Sequence, residues 1–215
     1  MKNELIKRIL SSIILIPIIF FLIIKGNYYF IILLIISFLI SIYEWHLLGR
    51  NKPYYIFGFI FLFFSFYAFY QIRTDNDNSY HYFLIIFLIC IFTDIGGYTF
   101  GKIFKGPKLT SYSPNKTISG ALGSYLFALG TIPILIYFKT FNQNHIILVV
   151  IFVILTSTIS QIGDIIISYF KRKSNIKDTG NIIPGHGGIL DRIDGMLFAF
   201  PFAYLIMFTA WFDKI

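Results

Sequence analysis

The chain has 215 residues, of which 57% are hydrophobic, 20% aromatic and 13% charged, whereas soluble domains carry about 25% charged residues. Because so few polar residues cannot cover a folded chain in water, the composition excludes an ordinary soluble domain. The net charge of +8 does not indicate nucleic-acid binding, since the basic residues are spread between apolar runs instead of forming one stripe. Cys90 is the single cysteine, so a disulfide framework and a thiolate metal site are excluded.

The chain contains seven apolar runs separated by polar segments. Several of these runs reach the roughly 20 residues that span a bilayer as a helix. In chain order they cover residues 9–24, 28–43, 54–70, 80–100, 118–138, 145–167 and 193–212. Backbone groups in lipid must be paired internally, so these lengths favour helices over barrel strands. We predict an all-α polytopic membrane protein of about seven transmembrane helices. It forms one domain, 1–215, with helices 1–3 in 1–79 and a catalytic half, helices 4–7, in 80–215.

The distribution of basic residues predicts the orientation in the membrane. The first run follows Lys2, Lys7 and Arg8 without a small-residue cleavage site after it, so we expect a retained anchor and not a signal peptide. With a cytoplasmic amino terminus, the outside loops keep few basic residues, namely Lys25, Arg73, Lys139 and Lys214. The positive-inside rule therefore predicts a multi-pass protein of the cell (inner) membrane whose amino terminus and active site are cytoplasmic.

The fourth helix and the loop after it form the first polar region. Asp94 is an acid within a membrane run, which is costly to bury and is by default a functional candidate; the alternative is a hydrogen-bonded packing residue. Gly97 and Gly101 follow it at helical spacing and allow close approach of a neighbouring helix. The candidates for substrate binding here are Asp94, Lys102, Ser113, Lys116 and Thr117. Glu44, near the end of the second run, is given no role.

The sixth run carries a polar face. Thr156, Ser160, Asp164 and Ser168 recur every four residues and therefore share one side of a helix. For the hydroxyls, a stripe that packs helices together is an equally good interpretation. Asp164 is the second intramembrane acid and the stronger functional candidate.

The segment that follows, 168–194, combines acids with bases. The acids are Asp164, just before it, and Asp178, Asp191 and Asp194; the bases are Lys171, Arg172, Lys177 and Arg192. Carboxylates supply the oxygen ligands that Mg²⁺ prefers, and Lys and Arg neutralise phosphate oxygens, so the combination favours phosphoryl-type transfer. The alternatives are a helix cap for Asp191 at the start of the last helix and a patch of bases for anionic lipid.

Glycines make the same segment conformationally permissive. Gly180, Gly185, Gly187 and Gly188 allow successive backbone N–H groups to form an anion-binding nest just before a helix start. His186 is a candidate donor to a phosphate or leaving group, although a lone loop histidine is more often structural. The candidates for substrate binding in this region are Ser168, His186, Gly187 and Gly188.

Residues 168–194 closely resemble the signature of the phosphatidate cytidylyltransferases, also called CDP-diacylglycerol synthases. The resemblance is carried by Lys171, Arg172, Lys177 and Asp178, by the turn from Pro184 to Gly188, and by Asp191, Arg192 and Asp194. Gly163-Asp164, the stretch from Asp94 to Gly101, Ser113-Pro114 and Lys116-Thr117 are similar to further motifs of that family. Ser119 stands where the family usually has an acid, and many members have more amino-terminal helices.

This resemblance implies transfer of CMP from CTP to phosphatidic acid in the lipid bilayer, which gives CDP-diacylglycerol and pyrophosphate for phospholipid biosynthesis. It implies Mg²⁺ as cofactor, with a second metal ion as an option, and a homodimer. We assign metal binding to Asp164 and Asp191, with secondary ligand roles for Asp194 and Asp178. The phosphates are assigned to Lys171, Arg172, Lys177 and Arg192.

Two rival functions remain open at this point. A CTP-dependent lipid kinase of the polyprenol kinase type would use the same nucleotide but transfer its γ-phosphate. An ion-coupled transporter that uses Asp94 and Asp164 is expected to show internal repeats, and the sequence shows none.

Overall fold

The computed structural model describes residues 2–74, 79–110, 113, 116–138, 145–182 and 187–207, with residues 2–10, 12 and 79 described by their backbone alone. Regular structure in these ranges is helical, which confirms the all-α class. The helices are α1 (Lys2–Lys25), α2 (Asn27–Gly49), α3 (Tyr55–Thr74), α4 (Ser79–Phe104), α5 (Ile118–Leu129), α6 (Ile132–Tyr137), α7 (Ile146–Lys173), α8 (Leu190–Ile193) and α9 (Met196–Met207).

Five helical segments among the described residues are long and apolar enough to cross a membrane. They are Asn27–Gly49, Tyr55–Thr74, Tyr80–Phe104, Ile118–Tyr137 and Ile146–Lys173, the fourth of which combines α5 and α6. The shorter apolar helices Ile13–Lys25 and Met196–Met207 overlap the first and last predicted runs. The protein is therefore a multi-pass membrane protein, and the count of seven spans stays a prediction.

The sequence predicted one continuous helix over the last apolar run, 193–212, and this prediction was wrong at the start of the run. Asp191 lies inside the short α8, Asp194 and Gly195 form a turn, and α9 begins only at Met196. A Cβ atom on Gly195 would lie 2.4 Å from the Oγ of Ser160, so the chain passes α7 here too closely for a side chain. Asp191 therefore does not open the last apolar helix, α9.

The chain divides into two compact units by its internal contacts. The first comprises Met1–Tyr80 with Phe170–Ile193, and the second comprises His81–Tyr169 with Asp194–Ile215. By these contacts the loop after α7 groups with the amino-terminal helices. The predicted division into amino-terminal helices and a catalytic half from residue 80 stays a prediction. The grouping of 1–215 as one domain stays a prediction.

In the first unit, Trp45 packs α2 against α3. A Cβ atom on Gly58 would lie 1.8 Å from Cε2 of Trp45, and the indole Nε1 donates to the backbone oxygen of Tyr55 at 3.0 Å. The ring of Phe170 lies 5.4 Å from that of Trp45 and 4.6 Å from that of Tyr54, centroid to centroid. These aromatic contacts fix the start of the loop that carries the predicted site.

In the second unit, small residues bring α4, α5 and α7 together. A Cβ atom on Gly96 would lie 2.4 Å from the backbone oxygen of Gly123, which confirms that glycines of the fourth helix allow close approach of a neighbour. The Ser124 hydroxyl donates to the backbone oxygen of Thr93 at 2.8 Å, and the Thr93 hydroxyl donates to that of Ser157 at 2.9 Å. Hydrogen bonds donated by hydroxyls therefore contribute to helix packing.

Candidate active site

The loop between α4 and α5 folds back so that Lys116 stands directly before α5. Lys108 and Thr117 form an isolated antiparallel bridge, and the backbone N–H of Leu109 donates to the backbone oxygen of Lys116 at 2.7 Å. Thr117 caps α5, because its hydroxyl accepts the N–H of Gly120 at 3.1 Å. These bonds fix the backbone at Lys116.

Lys116 forms an ion pair with Asp164 of α7. The Ser168 hydroxyl, one helical turn further along, donates to Oδ1 of the same carboxylate at 3.3 Å. The Lys116 and Asp164 side chains remain 27% and 26% exposed, so both are accessible from outside the protein. The structure thus joins the predicted polar face of α7 to the Lys116 motif of the first loop.

The carboxylate of Asp191 organises the loop between α7 and α8. Its Oδ1 accepts the Nζ of Lys171 at 2.7 Å, and its Oδ2 accepts the backbone N–H groups of Thr179 at 2.8 Å and Gly188 at 3.2 Å. The Asp191 side chain is only 6% exposed, and that of Lys171 13%. Asp191 is therefore not a simple cap of the last helix: it joins the end of α7 to two points in the loop.

A second carboxylate, that of Glu44 on α2, binds the same loop. Its Oε1 accepts the backbone N–H of Ile189 at 2.9 Å, and its Oε2 accepts the N–H of Leu190 at 2.8 Å and the hydroxyl of Thr179 at 2.9 Å. Glu44 is 0% exposed. Glu44 could not be identified as a site residue from the sequence, because a lone acid near a helix end carries no signal that distinguishes a buried acceptor from an exposed one.

The loop glycines make room for these two carboxylates. Gly187 has a φ of 86°, and a Cβ atom there would lie 3.1 Å from Oδ2 of Asp191. A Cβ atom on Gly188 would lie 2.2 Å from Oγ1 of Thr179 and 2.4 Å from Oε2 of Glu44. The N–H groups of residues 188, 189 and 190 donate to carboxylates of the chain itself, and the anion-binding nest stays a prediction.

The other predicted site residues occupy varied positions. Asp194 is buried, and its Oδ1 accepts the N–H of Gly195 at 2.9 Å. The N–H of Ser113 donates to the Thr110 hydroxyl at 3.2 Å. His186 lies outside the described residues. Exposed positions are occupied by Asp94, Lys102, Arg172, Lys177, Asp178 and Arg192. Binding roles for these residues, and for Thr117, Ser168, Gly187 and Gly188, stay predictions.

Within the described ranges, no group of three or more His, Cys, Asp and Glu side chains is arranged to hold a metal ion. Proteins usually bind Mg²⁺ through one or two carboxylates together with waters and substrate phosphates. A larger cluster is therefore not required for the predicted cofactor.

A protein-family model matches the part of the chain that contains both the loop between α4 and α5 and the loop between α7 and α8. The model of the cytidylyltransferase family covers residues 52–210. The chain belongs to the cytidylyltransferase family. The family range includes Lys116, Asp164 and Asp191, whereas Glu44 precedes it.

Individual members of the family are also similar to this chain. The phosphatidate cytidylyltransferase of Staphylococcus aureus is 43% identical over 145 residues, and that of Staphylococcus haemolyticus 40% identical over 144; each alignment covers 66% of this chain and 54% of the relative. The chain thus spans about half the length of these staphylococcal relatives. The phosphatidate cytidylyltransferase of Rickettsia bellii is 36% identical over 216 residues, which covers 95% of this chain and 91% of the relative.

The resemblance to cytidylyltransferases predicts an acid where this chain has Ser119. The uncharged Ser119 side chain stabilises the first loop through hydrogen bonds. Its hydroxyl donates to the backbone oxygen of Lys105 and lies 3.0 Å from the Thr117 hydroxyl. It therefore links the two ends of the loop that positions Lys116.

Proposed function

We propose that this chain transfers the CMP moiety of CTP to phosphatidate, which yields CDP-diacylglycerol and pyrophosphate. The observation that carries the proposal is the 36% identity to a phosphatidate cytidylyltransferase over 95% of the chain. It is supported by the family range, which includes both the Lys116–Asp164 pair and the Lys171–Asp191 pair. Carboxylates can bind Mg²⁺ and basic side chains can neutralise phosphate oxygens, so their proximity suits a reaction between two phosphate compounds.

In this reaction a phosphate oxygen of phosphatidate attacks the α-phosphorus of CTP. The bond between that phosphorus and the oxygen bridging to the β-phosphate breaks, and pyrophosphate leaves with the bonding electrons. The nucleophile is already anionic near neutral pH, so the reaction needs neutralisation of phosphate charge more than a strong base. Arg172, Lys177 and Arg192 lie at exposed positions where they can contact phosphates, whereas Lys171 binds Asp191.

Mg²⁺ is the cofactor that we propose, and the donor chemistry fits it. The Asp164 carboxylate is partly exposed and already attracts a cation, the ammonium group of Lys116, and oxygen is the ligand atom that Mg²⁺ prefers. When bound, the ion would neutralise phosphate oxygens as a Lewis acid. Ligand roles for Asp191, Asp194 and Asp178, and a second metal ion, stay predictions.

CTP labelled at its γ-phosphate distinguishes this proposal from a lipid kinase. CMP transfer releases the label as pyrophosphate and leaves the lipid unlabelled. A kinase would place the label in the lipid and release CDP. Appearance of γ-label in extracted lipid, with the chain as the only added enzyme, would contradict CMP transfer.

We propose that the amino terminus and both loops face the cytoplasm, where CTP is available. Reporter fusions at Lys105 and Asn175 are expected to report a cytoplasmic location. Fusions at Asn76 and Asn142, which lie outside the described residues, are expected to report the opposite side. A non-cytoplasmic signal from the Asn175 fusion would separate the loop from its nucleotide and refute this orientation.

The basic residues of the second loop are expected to differ in importance. The Nζ of Lys173 lies 5.2 Å from the centroid of the Tyr54 ring, a contact typically worth about 0.5–1 kcal/mol at an exposed site. We expect Lys173→Ala to lower CMP transfer less than about fivefold and Arg192→Ala to lower it severely, because Arg192 stands between two acids of the predicted site. Equal losses of CTP turnover in the two variants would refute this ranking.

The homodimer that the resemblance implies is likewise a proposal for this chain. The mass of the purified protein in detergent, corrected for bound detergent, tests it directly. A monomeric mass together with full activity would refute it.

A further inference from the structure

Thr179 is the residue at which two buried carboxylates meet. Its backbone N–H donates to Oδ2 of Asp191, and its hydroxyl donates to Oε2 of Glu44. Thr179 is itself buried, and it follows directly after Lys177 and Asp178 of the predicted site. The two acids therefore hold the same residue of the loop, Asp191 through its backbone and Glu44 through its side chain.

Glu44 also holds the other end of this loop. It accepts the backbone N–H groups of Ile189 and Leu190, which immediately precede Asp191 and Arg192. One carboxylate on α2 thus connects the segment after Lys177 with the beginning of α8. Its three bonds all come from donors, which matches the acceptor-only chemistry of an ionised carboxylate.

We propose that Glu44 is a positioning residue for CMP transfer. It fixes the chain at Thr179 and at Ile189 and Leu190, and thereby sets the positions of Asp191 and Arg192. This inference rests on the proposed function for its catalytic consequence. It also assigns the amino-terminal helices a part in the site, because Glu44 lies before the residues that the family model matches.

The surroundings of Glu44 leave little room for a substitute. Cβ atoms on Gly180 and Gly188 would lie 2.7 Å and 2.4 Å from its two carboxylate oxygens. Because the side chain is 0% exposed, water cannot replace a lost bond. Glutamine has the same shape, but its NH₂ group would face a donor wherever the amide is oriented.

The test measures CTP turnover of Glu44→Gln in detergent with purified protein. We expect kcat/KM to fall about tenfold to a hundredfold, as removal of buried hydrogen bonds to a charged group suggests, with a raised KM for CTP. Ser41→Ala is the matched control, since Ser41 is equally buried on α2 but its hydroxyl donates to the backbone oxygen of Ser37 in its own helix. We expect it to change kcat/KM less than about twofold.

Thr179 provides a milder pair of variants. Thr179→Val removes one of the three bonds to Glu44, and we expect it to raise the KM for CTP in the same direction. Thr179→Ser keeps the hydroxyl and is expected to retain the wild-type KM and kcat. A merely structural role would reduce the amount of folded enzyme and leave the KM of the remainder unchanged.

Cleavage by trypsin after the exposed Lys177, followed by mass spectrometry, reports the loop independently of activity. We expect faster cleavage in Glu44→Gln and Thr179→Val than in wild type or Ser41→Ala. If the rate of cleavage and the KM for CTP are unchanged in both Glu44→Gln and Thr179→Val, the inference is overturned. Activity of the wild type in the same assay would leave the proposed function intact. An inactive wild type with faster cleavage in the variants would instead refute the proposed function and keep the role of Glu44 in the loop.

Discussion

Asp164→Asn is expected to lower CMP transfer about a hundredfold or more while the protein still folds. Loss of a residue that merely orients a metal ligand typically costs 10–100-fold, and loss of the ligand itself should cost at least as much. Asparagine keeps the shape and one oxygen but removes the charge. The ion pair with Lys116 is partly exposed, so its loss should cost only on the order of 1 kcal/mol of stability.

Mg²⁺-dependent turnover in detergent measures this effect. Thr158→Val is a matched control on the same helix, since Thr158 bonds to Tyr125 and to the backbone oxygen of Ile154 and not to Asp164. Near-normal turnover of Asp164→Asn with an unchanged requirement for Mg²⁺ would remove Asp164 from the site.

Asp191→Asn is expected to lower turnover to a similar extent and also to loosen the loop between α7 and α8. The carboxylate accepts bonds from three donors, Lys171, Thr179 and Gly188, so the NH₂ group of asparagine must face one of them. Breaking a buried ion pair by removing one partner typically costs about 3–5 kcal/mol. A helix cap would tolerate asparagine, and the bonds to Lys171 and Thr179 distinguish Asp191 from such a cap.

Turnover and tryptic cleavage after Lys177, measured together, separate the two acids. Asp191→Asn is expected to change both, whereas Asp164→Asn is expected to change turnover alone. Asn181→Ala, at an exposed position of the same loop, is the control and is expected to change neither. Wild-type turnover and wild-type cleavage in Asp191→Asn would show that its hydrogen bonds do not organise the loop.

The helices were predictable because lipid imposes a simple requirement on length and polarity. The break between α8 and α9 was not, since it depends on the close approach of Gly195 to Ser160. A hydropathy run contains no information about that contact, and the apolar residues from Ile193 onward therefore suggested one continuous helix.

The candidate site could be predicted where a pattern is local. The spacing of polar residues along α7 singled out Asp164, and the motif that contains it singled out Asp191. The ion pair of Asp164 with Lys116 and the hydrogen bonds of Glu44 were not recognisable, because both depend on contacts between residues far apart in the sequence. Glu44 in particular binds backbone N–H groups of Ile189 and Leu190, which every residue except proline possesses.

We propose above that this chain moves CMP from CTP onto phosphatidate. Purified protein in detergent, supplied with Mg²⁺, phosphatidate and CTP labelled at the α-phosphate, allows this reaction to be measured. We predict that the label enters extracted lipid only when phosphatidate is present, with one pyrophosphate released for each labelled lipid. Folded protein that leaves all of the α-label in water-soluble nucleotide under these conditions would contradict CMP transfer by this chain.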